Sequence, residues 1–246
     1  MEEKKEQIKT AIAAAIVFLL IITAIAFVFR YSIEGEENMP FELSRIVIGS
    51  MVVSEDNETS DIDIENNIIQ NNGIHIEIKK NKKYKNDAVI KSIEIANIQI
   101  TKAPNKGQIK VYMPNTKENG KFTYSDEFVL EGNSLTYNGA SKNDTTALEI
   151  NNQGGVILIA FGNTNLGTYK LSTEGLRIDG TMLNKMGITD EDIKFTVNFD
   201  LIINTSSKKY KTNINLNLPI SEITKEGKAT YEITDTSKYI FKRIID

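Results

Sequence analysis

The chain has 246 residues, 40% of them hydrophobic and 25% charged, with 15 Gly, 4 Pro, no Trp and a formal net charge of −4. This is the composition of an ordinary folded protein; collagen-like and low-complexity chains are excluded, and no global basic field exists to attract nucleic acid. The absence of Cys excludes thiol catalysis, Cys-ligated zinc, iron–sulfur clusters, disulfides and lipid anchoring through an N-terminal cysteine.

Lys outnumbers Arg 25 to 4, alongside 37 Ile and 25 Asn, a bias that fits an AT-rich bacterial genome better than any demand of the fold. Residues 10–29, Thr10 to Phe29, form a run of 20 uncharged residues. At about 1.5 Å per residue a helix of them spans the ~30 Å hydrocarbon core of a bilayer. Lys4, Lys5 and Lys9 precede this run and only Arg30 follows before Glu34, Glu36 and Glu37. The expectation is a single-pass anchor with residues 1–9 in the cytoplasm and the rest extracytoplasmic. The alternative is a secreted protein cleaved after Ala26, where Ala24-Ile25-Ala26 matches a small-x-small signal. Against cleavage, the apolar run continues through Phe27, Val28 and Phe29. Residues 30–40, acidic and closed by Pro40, read as a juxtamembrane linker.

From Phe41 to Asp246 the dominant signal is period-two alternation, which predicts an all-β ectodomain: about a dozen strands in two stacked antiparallel sheets. Ile46 and Ile48 begin the pattern. Glu55 to Glu65 is acidic, and Asp56, Asp61, Asp63 and Glu65 are weak calcium candidates, because Asn66 and Asn72 stand where an EF-hand needs Gly and Glu. Ile74, Ile76 and Ile78 face a core, which leaves the single histidine, His75, on the wet face beside Glu77 and Lys79. No nucleophile motif accompanies it, so no catalytic residue is assigned. Lys79, Lys80, Lys82, Lys83 and Lys85 end this strand and are the candidate contacts for an anionic wall polymer; edge lysines also block aggregation.

Between Ile90 and Thr101, Ile93 and Ile95 are out of phase with Ile98 and Ile100, which calls for a bulge near Ala96-Asn97. Ile109, Val111 and Met113 alternate again. Gly155 to Phe161 is continuously apolar after a Gly pair and reads as a central strand buried on both faces. Thr181 to Met186, between two glycines, is the one short helix and is expected to plug an end of the sandwich. Thr189-Asp190-Glu191-Asp192 reads as a cap and first turn. Lys194–Asn204 and Lys211–Leu218 form a hairpin turned at Thr205–Lys208.

Lys82-Lys83-Tyr84-Lys85 is echoed at Lys208-Lys209-Tyr210-Lys211, so 41–246 is one elaborated sandwich or two tandem immunoglobulin-like domains split near 138–144. No sortase signal is complete: Leu218-Pro219 lacks the Thr-Gly that must follow. No cofactor is implied, and the expected partners are the membrane and an envelope protein or wall polymer. The function this suggests is binding or scaffolding at a cell envelope. The competing class is an extracytoplasmic hydrolase built on paired carboxylates or a Ser-Lys pair, which would leave no short motif.

Overall fold

The computed structural model describes residues 2–56, 65–118, 120–141, 148–170, 182–220 and 223–245. Helix α1 (Glu2–Glu34) is long and apolar enough to cross a membrane, and none of its apolar span is buried against the rest of the chain. Its two threonines are satisfied internally: Thr10 and Thr23 donate to the carbonyls of Glu6 and Leu19, four residues back. The helix outruns the apolar segment at both ends, because the flanking charges pair along it: Lys9 with Glu6 at 3.2 Å and Arg30 with Glu34 at 2.6 Å. Residues 31–34 are therefore helical, where composition alone read a linker.

The remainder is strand. In order these are β1 (Phe41–Asp56), β2 (Glu65–Lys80), β3 (Ile90–Lys102), β4 (Gln108–Tyr112), β5 (Leu135–Ala140), β6 (Glu149–Asn151), β7 (Gly154–Thr164), β8 (Thr168–Lys170), β9 (Phe195–Thr205), β10 (Lys209–Leu218), β11 (Lys228–Ile233) and β12 (Lys242–Ile244). The first sheet runs β11-β1-β2-β7-β4, with β8 also on β2; the second runs β12-β10-β9-β3-β5-β6. Each sheet draws strands from both sides of residues 138–144. Among the described residues the strand pairs are antiparallel except β5 with β6, which is parallel. That pair departs from the antiparallel expectation because the chain re-enters the second sheet beside β5 without making a hairpin.

Between the sheets lies one large apolar cluster. Ile46, Ile48, Ile74, Ile76, Ile157, Ile159 and Phe161 of the first sheet meet Ile93, Ile95, Phe195, Val197, Phe199, Leu201 and Ile203 of the second. Each such side chain withdrawn from water contributes about 1.5–3 kcal/mol before the entropy of ordering is subtracted. The β9–β10 hairpin has the expected register, Asn204 opposite Lys209 through Phe195 opposite Leu218. β3 carries its bulge where the phase of its isoleucines breaks: the register with β9 shifts between Ala96 and Gln99, and Asn97 adopts a φ of 53°. β7 is central but not covered throughout, since Val156 is exposed while Ile159 to Thr164 are buried. Met113 falls just beyond β4, whose Ile109 and Val111 are only partly buried because β4 is an edge strand.

The two ends of the sandwich are built differently. At the far end a second apolar cluster, Ile68, Leu166, Met182, Leu183, Ile188, Ile193 and Ile223, packs beneath three one-turn helices: α2 (Met182–Lys185), α3 (Asp190–Ile193) and α4 (Ile223–Glu226). α2 is the predicted plug. α3 begins at Thr189, whose backbone N–H and hydroxyl both donate to the Asp192 carboxylate. At the helix-bearing end, α1 stops at Gly35, which has a φ of +72°. A Cβ there would lie 2.5 Å from both Ile240 Cγ2 and the Phe241 carbonyl oxygen, so only glycine fits. Past it, Glu36 N–H donates to the Phe241 carbonyl, Arg243 N–H donates to the Tyr31 hydroxyl, and the Arg243 guanidinium meets Glu36 at 2.8 Å.

Candidate functional site

The outer face of the first sheet carries a trough made by small residues. Strand pairing sets Thr230, Gly49, Gly73, Ala160 and Tyr112 in one row across five strands. Without side chains at 49 and 73 the row is too shallow to cover itself, and the β4–β5 connection folds back over it. Phe128 and Tyr112 bury Ala160, with Phe122, Tyr124 and Val129 packed alongside. Phe122 sits over Gly73, its ring 3.3 Å from where a Cβ would be; above Gly49 there is open space.

That open space is a cleft of about 630 Å³. Its floor is Gly49 and Gly73, one wall is His75, Phe122 and Tyr124, and the opposite rim is Met51, Glu226, Lys228 and Thr230. The aromatic wall is continuous: Tyr112 to Tyr124 at 5.1 Å, Tyr124 to Phe122 at 6.1 Å, and Phe122 edge-on to His75 at 6.4 Å between centroids. Such edge and tilted contacts hold the rings in place. Desolvation holds the His75 pKa below that of a free imidazole. Desolvation, with the neighbouring Tyr112, raises that of Tyr124 well above the usual phenol range. Beneath the wall, Asn71 is buried with both amide atoms lacking a partner, on a face where an unpaired buried polar group costs about 1–3 kcal/mol.

His75 lies on the outer face as its alternation with Ile74 and Ile76 requires. Among the described residues no side chain hydrogen-bonds to it, and no group of three or more His, Asp or Glu is placed to hold a metal. Among the described residues that line the cleft, Glu226 is the one carboxylate. The geometry sets an aromatic wall opposite one cation, Lys228, and one anion, Glu226.

The acidic candidates fall elsewhere. The backbone of Asp56 ends the β1–β2 ladder at the far end, opposite Asn66, and that of Glu65 pairs with Lys170 of β8, but their side chains, together with Asp61 and Asp63, lie outside the described residues. Lys79, Lys80, Lys82, Lys83 and Lys85 lie at the opposite, helix-bearing end. Lys79 pairs with Glu77 at 3.1 Å, which also pairs with Arg45 at 2.8 Å, and Lys80 donates to Gln153 at 3.3 Å. Phe122, Tyr124, Gly49 and Gly73 escaped the sequence reading because nothing local signals that they meet. The available hint was the pair of glycines interrupting two otherwise alternating strands. No protein-family model matches the chain, and searches of curated proteins and of solved structures found no match.

Proposed function

We propose that the protein is an uncleaved, single-pass membrane protein that displays one β-sandwich, residues 41–246, on the extracytoplasmic side of a cell envelope and works there by binding. Residues 1–9 remain in the cytoplasm, by the excess of Lys4, Lys5 and Lys9 over Arg30. The observation that carries this reading is the joint between α1 and the sandwich. Cleavage after Ala26 would leave a stub bearing Phe27, Val28, Phe29 and Ile33, each 66–68% exposed, fastened to the domain through Tyr31 and Glu36. A soluble protein rarely keeps such an apolar projection, whereas a bilayer buries it.

The cleft over Gly49 is the recognition site, and its aromatic wall with Lys228 and Glu226 on the opposite rim suits a ligand with an apolar face and polar groups on its edge, from an envelope protein or polymer. Expression with a C-terminal tag, membrane fractionation and protease treatment of intact cells test the reading. It predicts full-length protein in the membrane with the tag removed from outside. A tag protected in intact cells would reverse the orientation, and release into the medium would remove the anchor.

A further inference from the structure

The two lysine-tyrosine echoes, 126 residues apart in the chain, converge on the point where α1 leaves the sandwich. The first lies on the β2–β3 connection, which is tied to the residues after α1: Asn81 N–H donates to the Pro40 carbonyl and its side-chain amide to the Met39 carbonyl, both at 2.9 Å. The second forms the β9–β10 turn and the start of β10, next to the first through Ser206 N–H on the Val89 carbonyl at 3.0 Å. Lys209 and Lys211 pair in register with Ile244 and Lys242, and Tyr210 with Arg243. Desolvation raises the Tyr210 pKa, with further influence from Glu36, Tyr84, Arg243 and Tyr31, so the tyrosines of both echoes share one neighbourhood with the helix exit.

Charge is distributed unevenly around that exit. Arg30 and Arg243 are neutralised by Glu34, Glu37 and Glu36, so the niche of about 520 Å³ between α1 and β12 has no excess positive charge. The lysines around it differ: among the described residues the side chains of Lys82, Lys83, Lys85, Lys208 and Lys242 enter no ion pair, and all but Lys208 are exposed. Among the described residues the other acids of this end include Glu42, Asp87 and Glu149, with Asp235 under the charge of the neighbouring Lys238.

We infer that these lysines form a collar around the helix exit that binds anionic lipid headgroups and so holds the sandwich against the bilayer. The inference rests on α1 spanning the membrane. A folded collar at the bilayer surface lies within a Debye length of the headgroups, where each lysine adds attraction. Tyr31 sits at the same level, where tyrosine prefers the interface. The collar does not oppose the orientation proposed above, because charges far along a translocated domain count little in setting topology.

The absence of native Cys permits clean single-site spin labels. The full chain, labelled at Asn86→Cys in the collar or at Lys106→Cys at the far end, would be placed in nanodiscs of phosphatidylcholine alone or of equal parts phosphatidylcholine and phosphatidylglycerol. Collisional access of a water-soluble nickel chelate is then measured. The collar label should lose access severalfold in the anionic discs only. High salt, or Lys82→Gln with Lys83→Gln and Lys85→Gln, should restore that access, and the far label should not respond. Equal access at position 86 in both discs overturns the collar while leaving the anchor intact. A chain that stays soluble and outside discs of either composition overturns the anchor, and the collar with it.

Discussion

The sandwich is closed at one end by hydrocarbon and at the other by hydrogen bonds and charge. At the far end Leu183, Met182 and Ile223 are buried at 0–1% exposure under one-turn helices. At the helix-bearing end, closure runs through Gly35, Glu36, Tyr31 and Arg243. The apolar plug contributes stability by burial. A charge-balanced polar seam such as Arg243 with Glu36 contributes little to the stability of a fold at an exposed surface, and on the proposed reading the surface beyond it is a headgroup layer.

The largest effect that would test this contrast is at the plug. Leu183→Ala removes a fully buried side chain and should lower unfolding stability by about 2–5 kcal/mol, read by thermal unfolding in detergent. A loss below about 1 kcal/mol would mean that the plug is not part of the cooperative core. At the seam, Gly35→Ala should cost about 1–2 kcal/mol of backbone strain and force the new methyl against Ile240 and Phe241. The damage should stay local, seen as faster amide exchange at Glu36 and Arg243 while β9 and β10 keep their protection.

Much of the far end and the core was legible in the sequence, because alternation and one-turn helix signals are local. The β9–β10 hairpin, the Asn97 bulge and the α2 plug each follow from residues within about two dozen positions of one another. The seam was not legible: Tyr31 and Glu36 find partners more than 200 residues away, and an acidic segment ending in proline carries no sign of them. The cleft escaped for the same reason, since Phe122 reaches Gly73 only because the β4–β5 connection folds back over the sheet.

Between the two ends, Asp200 gives a pH signature. Burial pushes its carboxyl up, but hydrogen bonds from Asn97 and Asn213 and the charge of Lys211 outweigh this and leave its pKa below the ordinary carboxylate value. The stability it contributes is therefore present above its unfolded pKa of about 3.9 and is lost as pH falls through the lower folded value. Asp200→Asn should destabilise the protein at pH 7 and flatten that acid limb, as measured by denaturant midpoints at a series of pH values. The smallest effect belongs to the collar: Lys82→Gln with Lys83→Gln should change stability by less than about 0.5 kcal/mol. A larger loss would make these lysines structural and blur the distinction between the two ends.

The central claim is that the sandwich remains joined to an intact membrane helix, and the N-terminus of the protein recovered from cell membranes tests it most directly. Intact-mass measurement should find a single species that retains residues 2–26. A species beginning at Phe27 would contradict the account, since the helix would then be a removed signal and the seam would close on a free domain.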